Sequence, residues 1–293
     1  MNRKNSNQQQ YTLDNHGSFD KLLGPVSSIL SSVIISCAVL FAAITVNNNS
    51  IKKDDLAKII AGINTANGTV AGAQDTTQAA AAVTVSLDQI KSLYAQGNVV
   101  FGDTSKKVLF VEVADPSCPY CHVAAGKNPE LNVQMGEQFR LTSDGGTYVA
   151  PVPEMKKLVD EGKAAYVWLY RNGHGNGEQG AQALYCANEK GKFWEVHDLL
   201  MTNKGYNLLN TDVKNDKTKA PVLAEYVKEV IDPAFMVECL QSGKYATKIQ
   251  EDQQLSTTLG VTGTPGYFIN TTNFVGAYSY NDMKGTVETA LGN

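Results

Sequence analysis

A β-rich run, Lys107-Val-Leu-Phe-Val-Glu-Val-Ala114, stops three residues short of Cys118-Pro119-Tyr120-Cys121, and this junction constrains the fold more than any other feature of the chain. A run so nearly continuous in apolar residues suits a strand buried on both faces, which requires neighbouring strands and covering helices. Pro119 then suits the first turn of a helix, where its missing N–H is no loss. The junction therefore predicts an α/β architecture with two cysteines one turn apart at the start of a helix.

That placement carries chemistry. Unpaired N–H groups at a helix start favour a thiolate. Cys118, at the mouth, is the candidate nucleophile, and Cys121, one turn further in, is the candidate resolving thiol that attacks a mixed disulfide. Other uses of the same residues stay open on spacing alone. Cys118-Pro-Tyr-Cys121-His122 satisfies the pattern for covalent haem attachment, and a zinc site would need two further ligands. A purely structural bond would close a strained two-residue loop. The β-rich run before the motif argues against a small helical haem domain.

The flanking sequence completes the α/β pattern. Ser86 and Gln89 have capping-box spacing, and Leu87, Ile90, Leu93 and Tyr94 form an apolar helical face. Val99 to Phe101 is a short strand candidate, and Ala164-Ala-Tyr-Val-Trp-Leu-Tyr170 is a second buried strand. Gly136 to Pro153 offers no assignable role. Helices are predicted over Glu178 to Glu189, Phe193 to Thr202, Pro221 to Val230, Pro233 to Gln241 and Tyr245 to Leu259, with Asp232 as a cap and Gly243 and Gly260 as stops. Tyr267 to Asn270 and Phe274 to Ala277 read as a hairpin, followed by a helix from Asn281 to Leu291. This order describes a sheet domain with a helical block inserted in it. The aromatic sets Tyr166/Trp168/Tyr170 and Phe193/Trp194 read as packing, and the Asn-Gly-His-Gly-Asn-Gly stretch around His174 as a flexible loop.

The beginning of the chain differs in kind. Leu22 to Ile51 holds no charged residue, and Pro25 to Val46 would span about 33 Å as a helix, enough for a bilayer core. We expect residues 1–24 to be a cytoplasmic tail, 25–46 a transmembrane anchor, 47–84 a flexible linker, and 85–293 the sheet domain with its helical insertion at about 172–259. Arg3, Lys4 and Lys21 favour an inside N-terminus, against Lys52 and Lys53 on the other flank. A cleaved signal peptide, and lipidation at Cys37, are the alternatives to a retained anchor. Thr65 to Ala82 has no basic or aromatic residue and a single acid, Asp75, too little to bury a core. Setting Cys37 aside leaves an even set, Cys118, Cys121, Cys186 and Cys239, which is compatible with an oxidising compartment. A net charge of −4 gives no reason to expect nucleic acid as a partner.

Taken together, these residues resemble the thioredoxin superfamily, and within it the DsbA-like branch with its membrane-tethered bacterial disulfide oxidoreductases. Cys-Pro-Tyr-Cys directly after a hydrophobic strand is one match. Glu112, six residues before Cys118, stands where the superfamily carries a buried acid that accepts a proton from the resolving thiol. Gly263-Thr264-Pro265-Gly266 looks like the cis-proline loop, and its distance of 147 residues from Cys118 leaves room for the helical domain that interrupts the DsbA-like fold. Ala183-Leu-Tyr-Cys-Ala187 and Gly191-Lys-Phe-Trp-Glu-Val-His197 are similar to that insert.

The resemblance implies a thioredoxin-like fold with an inserted helical domain, and substrate contacts at Thr264, Pro265, Pro119 and Tyr120. It also implies a structural disulfide between Cys186 and Cys239, for which two buried thiols are the alternative. The expected activity is formation or shuffling of disulfides in exported proteins on the outer side of the membrane. No cofactor beyond the Cys118–Cys121 disulfide and no metal is expected. Reoxidation would fall to a membrane partner, quinone-linked or DsbB-like. A reductase or isomerase with the same centre, and a non-catalytic tethered binding module, remain open.

Overall fold

Strand β2 (Val108–Ala114) has all seven of its residues buried, and the sheet is organised around it. It runs parallel to β3 (Ala164–Tyr170), with Val108 opposite Ala164 and Ala114 opposite Tyr170. On its other side it runs antiparallel to β4 (Gly266–Ile269), with Phe110 opposite Ile269 and Val113 opposite Gly266. The short β1 (Val99–Phe101) and β5 (Thr272–Val275) close the edges, giving the order β1-β3-β2-β4-β5. The computed structural model describes residues 84–292. The expected tail and anchor, and nearly all of the expected linker, lie outside the described residues. Among the described residues no helix is long and apolar enough to cross a membrane.

Strand alternation divides the core in two. Phe110, Ala114, Tyr166, Trp168, Tyr267 and Ile269 face one side, where they pack with the motif cysteines and the helical block. Leu109, Val111, Val113, Val167, Leu169 and Phe268 face the other, against Ile90 and Leu93 of the N-terminal helical segment and Leu259. Each large side chain so buried contributes about 1.5–3 kcal/mol, which offsets the cost of the one acid, Glu112, that β2 carries into the core.

Helix α1 (Leu87–Ser92) opens with the capping box read from the sequence: Gln89 N–H donates to Ser86 Oγ, and Ser86 N–H donates to Gln89 Oε1. After β2 come α2 (Pro119–Ala125), α3 (Pro129–Gln134) and α4 (Pro151–Asp160), which make the crossover to β3. Between β3 and β4 lie α5 (Glu178–Asn188), α6 (Phe193–Leu200), α7 (Asn203–Asn207), α8 (Ala220–Tyr226), α9 (Pro233–Ser242) and α10 (Ala246–Thr258). Helix α11 (Tyr280–Leu291) closes the domain. Sequence periodicity missed α7 and the π-helical turn Leu208–Val213 that continues it, because both are too short to build a periodic signal. It also carried α8 on to Val230, where the chain leaves the helix at Val227 and turns back on itself through Val230 N–H and Ile231 N–H to the Val227 carbonyl.

The stretch from Gly136 to Pro153 has a structure its composition did not disclose. Helix α2 stops at Gly126, whose φ of 65° favours glycine. A Cβ there would lie 2.6 Å from the Cβ of Ala150, so the two ends of the excursion between α2 and α4 touch. The excursion is pinned at its far side: Tyr280 N–H donates to the Val149 carbonyl at 2.8 Å, and Tyr148 Oη to the Tyr278 carbonyl at 3.3 Å.

Cys186 and Cys239 form a disulfide that ties α5 to α9 across 53 residues of sequence. Restricting the unfolded chain over a loop of that size is worth about 2–4 kcal/mol. The Cys186→Ser/Cys239→Ser double variant is therefore expected to lose a comparable amount in urea unfolding. An unchanged midpoint would show that the bond leaves stability unaffected.

Candidate active site

Cys118 is the N-cap of α2, its own backbone extended, with Pro119 in the first turn and a tight turn from Asp115 ahead of it. Cys121 N–H and His122 N–H both donate to the Cys118 carbonyl, so the helix starts at the motif itself. Cys121 is directed into the core, where the Asp115 N–H donates to its sulfur at 3.4 Å. Tyr120 stays exposed and meets Phe139 edge-on, with ring centroids 5.9 Å apart.

The second wall comes from the far end of the chain. The Thr264–Pro265 peptide bond is cis, and because β4 begins beside β2, the Thr264 carbonyl lies 3.4 Å from the Cys118 sulfur, which donates to it in the thiol form. Thr264, Pro265, Cys118 and Tyr120 are thus brought to one place by the pairing of β2 with β4. Pro119 stands between the two cysteines' neighbours and fixes the helix start.

The two thiols are unequal. The pKa of Cys118 is lowered to about 7, chiefly by the hydrogen bond from the Cys121 thiol; burial opposes this, and Thr264 and the backbone N–H groups of Cys121 and Tyr120 add to it. Cys121 is pushed the other way, by burial first and by its neighbour Cys118 second. At neutral pH the charge therefore resides on the outer sulfur, and the inner one keeps its proton.

Glu112 lies on the same face of β2 as Phe110 and Ala114, the face that the motif cysteines pack against. Tyr166 Oη donates to its Oε2, and Tyr267 Oη donates to its Oε1 at 3.2 Å. Burial raises its carboxyl above the ordinary range, against the opposing influence of His197 and the two tyrosines. No hydrogen bond joins Glu112 to Cys121 directly; both carboxylate oxygens are held by tyrosines from the neighbouring strands.

Several polar groups here were not singled out from the sequence. Tyr166 was read as packing, yet it also holds the carboxylate. Tyr267 does the same from β4. His122 is fully buried, its Nε2 2.8 Å from the Pro116 carbonyl and its Nδ1 2.9 Å from that of Met201, and burial pulls its pKa down to about 4. Asn210 of the helical block reaches the Ser117 carbonyl at 3.1 Å. The available signal for Tyr166 and Tyr267 was their strand registry opposite Phe110 and Glu112, which requires the pairing to be known. Among the described residues no group of three or more His, Cys, Asp or Glu side chains is placed to hold a metal ion.

Comparison with known proteins agrees with this architecture. A family model described as thioredoxin matches residues 152–289, beginning after the excursion that follows the motif helix. Disulfide bond formation protein D of Bacillus subtilis is 21% identical over 203 residues, covering 67% of this chain and 78% of that protein. Na(+)/H(+) antiporter NhaA 3 of Salinispora tropica is 26% identical over 196 residues; 66% of this chain is aligned, and the match spans only 24% of the antiporter's length. Among solved structures, oxidised BdbD of Bacillus subtilis superposes with a TM-score of 0.50 at 20% identity, covering 67% of this chain and 94% of that one. A variant of α-DsbA1 from Wolbachia pipientis gives 0.51 at 16% identity, with 71% and 96% covered.

Two measurements follow from the electrostatics. Alkylation of the reduced protein at Cys118 is expected to rise with pH through a midpoint of about 7, with Cys121 unreactive over the same range; equal reactivity of the two would refute the asymmetry. For Glu112, a raised folded pKa means the unfolded chain releases this proton at lower pH, so its stability contribution is full in acid and is lost as pH rises past the ordinary carboxylate range. Glu112→Gln is expected to be more stable than the native protein in urea at pH 7.5, with the gain vanishing near pH 4.

Proposed function

We propose that the chain is a DsbA-like thiol–disulfide oxidoreductase of the thioredoxin superfamily, which forms disulfide bonds in exported proteins through Cys118 and Cys121 from a position anchored on the outer side of the membrane. The observation that carries the reading is the contact between the Cys118 sulfur and the Thr264 carbonyl. It sets the outer sulfur beside the peptide group that precedes Pro265, at the entry to β4, where a substrate strand can lie alongside.

The chemistry runs in two exchanges. A substrate thiolate attacks Cys118 in the oxidised pair, the Cys118–Cys121 bond breaks, and Cys121 leaves and takes up a proton. Glu112 stands on the same side of the sheet as a buried acid with a raised pKa, held by Tyr166 and Tyr267, and we assign it the proton traffic of Cys121. A second substrate thiolate then attacks the substrate sulfur of the mixed disulfide and expels Cys118. Two electrons pass from substrate to enzyme, leaving one new disulfide, Cys118 as the thiolate and Cys121 as the thiol.

The depressed pKa of Cys118 supports thiol–disulfide exchange at the outer sulfur, because a stabilised thiolate is a good leaving group. Tyr120, exposed beside Cys118, and Pro119 belong to the surface a substrate would meet. The uncharged run at Leu22 to Ile51 supports a membrane anchor, and the Cys186–Cys239 bond suits an oxidising compartment. Turnover requires an oxidant for the reduced pair, for which a quinone-linked membrane protein is the partner we propose.

A Cys121→Ala variant retains the Cys118 sulfur but lacks the thiol whose attack on a mixed disulfide would re-form the Cys118–Cys121 bond and free the partner. Expressed in cells, it is expected to accumulate mixed disulfides with exported proteins, and these should disappear when Cys118→Ala is added. If the trapped partners are cytoplasmic, or if none form, the reading is wrong.

A further inference from the structure

Asp115 takes no part in the exchanges above, yet it touches both cysteines. It follows β2 directly and is fully buried. Its backbone brackets the pair: the N–H donates to Cys121 Sγ at 3.4 Å, and the carbonyl accepts from Cys118 N–H at 2.9 Å. Its carboxylate accepts four hydrogen bonds. Oδ1 takes the Ser117 N–H at 2.8 Å and the Ser117 hydroxyl at 2.7 Å. Oδ2 takes the backbone N–H groups of Gly173 and His174, both at 2.8 Å. All four donors are uncharged, and among the described residues no lysine or arginine pairs with this carboxylate.

Those bonds fix the glycine-rich stretch that the sequence suggested was a flexible loop. A Cβ at Gly177 would lie 1.7 Å from Asp115 Oδ1, and a Cβ at Gly173 would lie 1.9 Å from Thr264 Oγ1. The loop is therefore wedged between Asp115 on one side and, on the other, the residue whose carbonyl faces Cys118. Both close approaches need glycine.

We propose that Asp115 is a positioning residue that sets the redox poise of the Cys118/Cys121 pair, by clamping the Gly173–Gly177 loop against Thr264 and by holding a buried carboxylate, softened only by neutral donors, on the residue whose backbone meets both cysteines. The proposal rests on the pair being redox-active as argued above. A buried negative charge close to a sulfur disfavours its thiolate. The Asp115 charge is among the causes that raise Cys121. Other groups near the carboxylate are His122, which its charge reaches, and Tyr170, which it shares with Glu178.

The test is equilibration of the full chain in glutathione buffers at pH 7. Two glutathione thiols reduce the Cys118–Cys121 bond; one glutathione disulfide forms, and the two protein sulfurs are released as thiol or thiolate. Asp115→Asn removes the charge and is expected to shift the equilibrium about tenfold toward the reduced pair. Ser117→Ala keeps the charge but removes the hydroxyl that softens it, and is expected to shift the equilibrium about two- to threefold the other way, toward the disulfide. A purely structural role would lower the stability of both redox forms alike and leave the equilibrium unmoved. Shifts of the same sign, or none, in the two variants overturn the proposal. Should Asp115→Asn fail to fold, Ser117→Ala decides alone, and any result other than a shift toward the disulfide overturns it. A native pair that never equilibrates with glutathione instead defeats the oxidoreductase reading and the proposal with it, whereas a native pair that equilibrates with unchanged variants defeats the proposal only.

Discussion

The two-sided pairing of β2 governs everything at the site. One edge is bonded parallel to β3, the other antiparallel to β4. The parallel edge demands a crossover, which supplies α2 and its cysteines at the end of the strand. The antiparallel edge brings the start of β4, and hence Thr264, to the same end. Residues 146 apart in sequence are thus brought within hydrogen-bond reach of each other. Their encounter is a product of main-chain hydrogen bonding and of the apolar burial that keeps β2 central.

The same pairing assigns the polar interior. Glu112 would be an expensive guest in a fully buried strand. It is tolerated because Trp168 and Tyr267 lie directly opposite it in register, with Tyr166 one alternation away on the same face, so that two hydroxyls reach its carboxylate. The asymmetry between the cysteines has a related origin. Cys118 sits at a helix mouth among donors, and Cys121 one turn deeper among apolar side chains.

Much of this was legible in the sequence, and the reasons are local. The strand ending at Ala114, the Pro119 helix start, the Ser86 cap and the helices beginning at Glu178 and Pro233 all depend on patterns contained within a few residues. Of the site residues, Cys118 and Cys121 came from the motif, and Glu112, Thr264 and Pro265 from the family resemblance; the structure places them around one end of the sheet. What stayed hidden depends on long-range partners. Tyr166 looks like any strand aromatic until Glu112 is known to be its neighbour. The loop around His174 looks mobile until the Asp115 carboxylate is placed beneath it. Gly136 to Pro153 carries no periodicity because its order comes from irregular internal bonds, such as Tyr148 N–H to the Arg140 carbonyl and Thr142 N–H to the Tyr148 carbonyl, and from contacts to Tyr278, Tyr280 and Tyr120.

The meeting of Gly126 with Ala150 has a further consequence. An excursion whose entry and exit touch behaves as a cassette: it can be lengthened, trimmed or exchanged without displacing the elements it leaves and rejoins. Here the cassette hangs from the carboxyl end of the motif helix, and its Phe139 lies against the side chain next to the outer cysteine. A change in this segment is therefore a change at the Tyr120 face of the motif rather than in the strands that carry it.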